Sequence, residues 1–134
     1  MGKAGVNVGI IGFGTVGTGT ARILLENAAI IERRAGFPVV LKKIADRNIA
    51  RDRGIKLAAG VLTDNVDEVL SDPDIDIIVE LVGGIHPAKE FILKAIDYGK
   101  HVVTANKALL ATEGSDIFCA ADRKRVEVCF EAAV

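Results

Sequence analysis

Cysteine is scarce in this chain, membrane-length apolar runs are missing, and neither sign of charge prevails. The two cysteines, Cys119 and Cys129, form no C-x-x-C pair and no Cys/His spacing of the kind that holds a metal. They read as small buried residues kept reduced. No apolar stretch reaches the length of a membrane span, because Asn7, Glu80 and similar residues interrupt the strand-like runs. With a formal net charge of −1, nothing calls for nucleic acid or a membrane surface as partner. The opening Met1-Gly2-Lys3-Ala4-Gly5-Val6 has no apolar signal core, and Val6 spoils a myristoylation pattern. The expected location is the cytoplasm. Internal repeats, low-complexity tracts and linkers are absent too.

What remains is an ordinary globular composition. Hydrophobic residues make up 50% of the 134 positions and charged residues 26%, which suits one domain able to bury about two-thirds of its unfolded surface. Strand-like and helical patterns alternate from end to end. Val6 to Ile11 reads as a first strand, and Val16, Ile23, Leu24, Ile30 and Ile31 mark an amphipathic segment after it. Val39 to Ala45 is a second strand, although Lys42 and Lys43 suit a covered strand poorly and place it near an edge. A short strand is expected over Gly60 to Thr63 and a helical turn from Asn65 to Leu70. Ile75 to Val82 is the best buried strand, halted by Gly83-Gly84. Pro87 suits the start of a helix that Gly99 stops. His101 to Ala105 is a fifth strand, Ile117, Phe118 and Ala121 mark a last helix, and Val126 to Phe130 closes the series. Such alternation predicts an α/β fold: a doubly wound, mostly parallel sheet of about six strands with helices on both faces. The polar stretch Asp46 to Gly54 is the expected mobile loop.

Gly12-Phe13-Gly14-Thr15-Val16-Gly17 stands between the first strand and the first helix. The G-x-G-x-x-G spacing is weak alone, but here its flanks give it a mechanism. Gly12 permits a tight turn, Gly14 lets a pyrophosphate approach the backbone, and Gly17 lets the helix lie close on the strand. The helix N-terminus offers N–H groups and partial positive charge to phosphates. This is the dinucleotide-binding pattern of a Rossmann sheet, in which ligands lie beyond the carboxyl ends of the strands. Those ends are Gly12, Asp46, Gly83-Gly84, Asn106-Lys107 and Glu131, which are expected to surround one cleft.

Several residues there carry candidate chemistry. Asp46 lies further beyond Gly17 than the usual spacing of roughly 20 residues. A carboxylate at this point accepts hydrogen bonds from an adenosine ribose and repels a 2′-phosphate, whereas the guanidinium of Arg47 attracts one. The two argue oppositely, leaving NAD and NADP open; a solvated Asp-Arg pair is the plainer alternative. Lys107 follows Thr104-Ala105-Asn106 beyond the fifth strand. An ammonium buried there stabilises a developing alkoxide or supplies a proton; otherwise it is a solvated helix-start residue. Asn106 either orients a carbonyl or caps the helix. His86 either faces the nicotinamide side or caps the helix at Pro87. His101, at a strand entrance on the opposite side, is structural.

Three stretches together resemble the N-terminal cofactor domain of homoserine dehydrogenases. They are Gly9-Ile10-Ile11-Gly12-Phe13-Gly14-Thr15-Val16-Gly17, then Ile78-Val79-Glu80-Leu81-Val82-Gly83-Gly84, then Gly99 through Ala111, GKHVVTANKALLA. The third is the most specific, and the terminal Phe130-Glu131-Ala132-Ala133-Val134 is similar to the run entering that family's next segment. The resemblance implies reversible hydride transfer between NADP or NAD and the aspartate-semialdehyde/homoserine pair, in the route to threonine, methionine and isoleucine. It assigns Phe13, Gly14, Thr15 and Val16 to the phosphate loop, puts Gly83, Gly84, Thr104 and Asn106 at the cofactor, and makes Lys107 an active-site residue. It further implies a monovalent cation (Na+) in the full-length protein, with Glu131 a carboxylate ligand and Val134 a main-chain carbonyl ligand.

The family continues into a catalytic and dimerising region. Residues 1–134 are therefore expected to be one dinucleotide-binding domain of a longer, homo-oligomeric enzyme, binding cofactor without turnover by itself. Two alternatives compete: the cofactor domain of another two-domain dehydrogenase, such as an aspartate dehydrogenase, and a non-catalytic nucleotide-sensing module.

Overall fold

A computed structural model describes residues 5–82 and 86–130. Eleven elements follow in order: β1 (Val6–Ile11), α1 (Thr15–Glu26), α2 (Ala28–Ala35), β2 (Val39–Ala45), β3 (Leu62–Thr63), α3 (Val66–Leu70), β4 (Ile77–Glu80), α4 (Ala88–Asp97), β5 (His101–Thr104), α5 (Lys107–Lys124) and β6 (Val128–Phe130). The six strands form one sheet in the order β3-β2-β1-β4-β5-β6, and every neighbouring pair is parallel. Parallel neighbours need crossovers, and the helices between strands supply them. The winding direction reverses between β1 and β4, which opens a crevice at their carboxyl ends.

Because strand side chains alternate, β1 feeds two cores. Val8 and Ile10 pack with Phe13, Ala21, Leu41 and Ile44 under α1. Ile11 joins the larger core on the other face, where Ile78 and Val102 meet Val69, Ile92, Ile96, Leu109 and Ile117 from α3, α4 and α5. A doubly wound α/β sheet with helices on both faces is thus present, as expected.

The structure departs from the sequence reading in several places. The first helical segment breaks at Asn27, which caps the end of α1 and the start of α2. Val16 and Ile23 remain 61% and 55% exposed; the residues of α1 that are buried are Gly17 and Ala21. Small residues bring this helix onto the sheet, so Val16, Ile23 and Leu25 stand off while Leu24 packs, partly buried, against the core. The best buried strand is shorter than its apolar run, because Ile75 is buried ahead of the β4 pairing. The last helix is far longer than its apolar markers, starting at Lys107. Both cysteines are exposed, correcting the expectation that they are buried.

Lys42 and Lys43 find their explanation in a bulge. Val8 pairs with Leu41 and Gly9 with Lys43, leaving Lys42 as the extra residue in β2. Both ammonium groups thereby reach Asp72, Lys42 at 3.0 Å and Lys43 at 3.7 Å, and Lys42 also meets Asp74 at 3.0 Å. Edge strand β3 covers β2 only at Ile44 and Ala45, so the lysines lie beyond its reach. The position near an edge is as expected. At the same end of the sheet, the buried Lys100 donates through Nζ to the carbonyls of Asp72 (2.5 Å) and Ile75 (2.8 Å), tying the loop before β4 to the start of β5.

Two glycines of α1 should respond oppositely to alanine. A Cβ at Gly17 would collide with the Gly12 carbonyl oxygen, whereas one at Gly19 meets nothing within 4 Å. Gly17→Ala is expected to destabilise the fold by at least ~1–3 kcal/mol, the usual cost of overpacking. Gly19→Ala should stabilise it by about 0.5–1 kcal/mol through helix propensity. Urea unfolding of both variants checks this; equal midpoints would refute the seating of α1.

Candidate functional site

The turn after β1 is shaped by three glycines with different tasks. Gly12 has φ 103° and lies so close to the β4 exit that a Cβ would come within 2.9 Å of the Leu81 carbonyl. Gly17 seats α1 against the Gly12 carbonyl. Gly14 has the opposite character: a Cβ there would meet nothing within 4 Å, and the residue lines an open cleft of about 460 Å³. Gly14 is the N-cap of α1, and no side chain caps this end. The turn therefore presents a helix N-terminus to an open space, a suitable setting for an anion.

Ile11, Gly12, Gly14, Ala45, Asp46, Arg47, Leu81, Val82, Pro87 and Phe91 line that cleft. Val16, Glu80, Leu81, Ala105, Asn106 and Lys107 line an adjoining hollow of about 220 Å³. Leu81 belongs to both walls, so the two hollows adjoin at the carboxyl ends of β1, β2, β4 and β5. Gly12, Gly14, Val16, Asp46, Arg47, Asn106 and Lys107 come together there. Gly83, Gly84, Glu131 and Val134 lie outside the described residues.

Other candidates are directed elsewhere. Phe13 is buried, and its N–H donates to Asp46 Oδ1 at 2.9 Å. Thr15 opens α1 in an exposed position. Thr104 is buried, with its hydroxyl donating to Glu80 Oε1 at 2.7 Å. His86 is exposed and pairs with Glu90 at 2.6 Å rather than capping α4 through its side chain. His101 Nδ1 accepts the Glu127 N–H at 3.0 Å, a structural bond at the start of β5. Lys107 occupies the first position of α5 and is exposed in this chain, the solvated helix-start placement rather than the buried ammonium.

Asp46 does more than face the cleft. Its Oδ1 accepts from Phe13 N–H, and its Oδ2 accepts from Asn48 N–H and Arg53 Nη2, all at 2.9 Å. Partial burial pushes its pKa up, but the Phe13 and Asn48 N–H groups and the positive charges of Arg53 and Arg51 outweigh that and hold it below the ordinary carboxylate value.

Arg53 was not legible as a site residue. Its side chain is only 3% exposed; Nε donates to the Phe13 carbonyl at 2.6 Å, Nη1 to that of Arg51 at 2.9 Å and Nη2 to that of Asn48 at 2.6 Å. The guanidinium also lies 4.4 Å over the Phe13 ring. The polar stretch 46–54 is thus organised around one buried cation that also grips the glycine turn, not simply the loose loop its composition suggested. Nothing in the sequence separates Arg53 from its neighbour Arg51.

Glu80 was the second omission. It is 1% exposed at the end of β4, accepting from the Thr104 hydroxyl and, at 2.8 Å, from Val82 N–H. Thr104 Oγ1 in turn accepts Asn106 N–H at 3.1 Å, and Asn106 Oδ1 caps α5 by accepting Leu109 N–H at 3.1 Å. The helix that begins at Lys107 is therefore anchored to both strand ends through a buried carboxylate. A charge inside an otherwise apolar strand was the available signal.

Residues 12–131 match the family model described as homoserine dehydrogenase, NAD binding domain. The chain belongs to that family. A homoserine dehydrogenase of Pseudomonas aeruginosa is 50% identical over 131 residues, 96% of this chain and 29% of that protein. One from Bacillus subtilis is 36% identical over 129 residues, covering 96% and 30%. The crystal structure of a homoserine dehydrogenase from Thiobacillus denitrificans shares the fold with a TM-score of 0.87 and 51% identity, over 96% of this chain and 30% of that one. The chain thus spans less than a third of the length of these homoserine dehydrogenases. Within this family domain, the glycine turn and the ends of β2, β4 and β5 form the crevice described above.

The lowered pKa of Asp46 gives a pH test. A carboxylate depressed in the folded state contributes stability above its unfolded pKa and loses it as pH falls through the folded value. Asp72, also depressed, adds to the same acid loss; burial pushes it up, and the Asp74 N–H and Lys42 outweigh that. Asp46→Asn should therefore show a shallower fall in urea midpoint below about pH 4 than the parent. Parallel profiles would remove Asp46 from the acid response.

Proposed function

We propose that this chain is the nicotinamide-nucleotide-binding domain of a longer homoserine dehydrogenase, binding NAD(P) in the crevice between β1 and β4. The observation that carries the reading is the space at Gly14, a cradle that a side chain would fill, at the uncapped N-terminus of a twelve-residue helix. Such a site fits a pyrophosphate: backbone N–H groups bind it and the helix dipole favours its charge. Asp46 and Arg47 mark the ribose end, and Lys107 the reacting end. The proposed reaction interconverts aspartate 4-semialdehyde and homoserine in the cytoplasm, with the whole enzyme a homo-oligomer.

The bound nucleotide supplies or accepts a hydride. The work of this chain is to position it and to meet charge at the substrate oxygen. Reduction of an aldehyde builds negative charge on that oxygen, and the Lys107 ammonium is the group at the crevice suited to stabilise it or give it a proton. An ammonium exposed in this chain gains electrostatic leverage only when water is excluded. The proposed remainder of the enzyme has to cover it. Glu80, Thr104 and Asn106 hold the start of α5, so Lys107 projects from a fixed point.

Gly14→Val places a branched side chain in the cradle without colliding with the protein. It should weaken NADH and NADPH binding at least roughly tenfold while the protein stays folded, as read by calorimetry and melting. Unchanged affinity would move the phosphate site elsewhere. In the complete enzyme, Lys107→Ala should lower kcat about 10²–10⁴-fold with little change in melting temperature. Lys107→Arg should rescue little, being a weak proton donor of different shape. Near-normal turnover in Lys107→Ala would exclude this residue from the chemistry; a nucleotide-sensing module would instead bind nucleotide, with or without Lys107, and show no turnover.

A further inference from the structure

A carboxylate at the end of the second strand of such a sheet ordinarily accepts hydrogen bonds from the ribose hydroxyls of the unphosphorylated dinucleotide and repels a 2′-phosphate. In this chain that carboxylate is already engaged. Asp46 receives Phe13 N–H on one oxygen, and Asn48 N–H and Arg53 Nη2 on the other. A carboxylate offers about four acceptor positions, so three internal donors leave roughly one, against the two hydroxyls that a ribose brings. The charge is met as well: Arg53 lies at 2.9 Å, buried, and cannot swing away while it holds three carbonyls and covers the Phe13 ring. The pair presents almost no net charge to the cleft, and the next residue, Arg47, stands exposed in the cleft wall with a positive one.

We propose that Arg53 is a specificity-determining residue of the nucleotide site: by holding Asp46 in a neutral, internally bonded pair, it admits a 2′-phosphorylated dinucleotide that a free carboxylate would reject. The assignment rests on the crevice being a dinucleotide site. Arg53 acts through Asp46 and is a positioning residue, not a ligand of the nucleotide. Its removal frees one acceptor position, leaving about two for the ribose hydroxyls, and exposes a full negative charge to the 2′-phosphate, so the two nucleotides must respond unequally. A residue that merely braced the loop would weaken both alike.

The test is the ratio of NADPH to NADH affinity, measured by fluorescence titration of the chain and its variants. Arg53→Met should lower the ratio roughly tenfold, the scale of one hydrogen bond to a charged group. Asp46→Asn should not lower it, because no carboxylate then remains to repel the 2′-phosphate. Adding Arg53→Met to Asp46→Asn should lower the ratio by much less than the same change does in the parent, since the carboxylate through which Arg53 acts is gone. Arg53→Lys keeps the charge without the planar fork; its ratio should stay nearer the parent's than that of Arg53→Met. Should circular dichroism show Arg53→Met unfolded, Arg53→Gln, which keeps a donor amide but no charge, takes its place with the same expected fall. Equal losses for both nucleotides on removing the Arg53 charge would overturn the proposal and leave the site intact. Failure of the parent to bind either nucleotide would overturn the proposal and the site together.

Discussion

The close seat of Gly17 on the Gly12 carbonyl is the constraint from which the upper half of the molecule follows. No side chain fits between them, so α1 approaches the sheet closer than a helix with ordinary packing residues. That approach aims the start of α1 at the crevice and puts Gly14, its N-cap, in open space. It also turns Phe13 inward, where its ring supports Arg53 and its backbone N–H meets Asp46. One close contact thus couples the glycine turn to the end of β2.

The two ends of the sheet treat charge differently. At the amino ends, Lys42, Lys43, Asp72 and Lys100 are consumed by one another and by loop carbonyls, which holds the loop before β4 in place. At the carboxyl ends, Glu80 and Arg53 are buried and fully engaged, while Arg47 and Lys107 are exposed. Ordered charges lie beneath the crevice and open ones at its surface. The former give shape; the latter are free to meet a ligand.

The succession of strands and helices along the chain and the glycine turn were legible because each rests on a local pattern: an apolar run, a helical spacing, a G-x-G-x-x-G between them. Where the reading faltered, tertiary geometry decided. Val16 and Ile23 have the spacing of a core face, but the nearness of α1 to the sheet reserves that face for Gly17 and Ala21. Lys42 looked misplaced until a bulge put it beside its neighbour on Asp72. Arg53 could not be singled out, since its partners Phe13, Asp46 and Asn48 are brought to it by the loop path rather than by spacing. Glu80 carried a signal, a carboxylate inside a buried strand, which gains its meaning only when Thr104 lies beside it on β5.

The contrast between Gly14 and its two companions separates two kinds of selection acting on six consecutive residues. Gly12 and Gly17 are enforced by the chain's own backbone, so a lineage that kept the fold and discarded the ligand would still keep both. A Cβ at Gly14 would meet nothing of the protein within 4 Å, and the residue has φ −82°, which any residue adopts. Only an occupant of the crevice objects to a side chain there. A population of such chains screened for expression and solubility alone would drift at position 14 and hold still at 12 and 17, so that variability at this single position records whether the nucleotide is still in use.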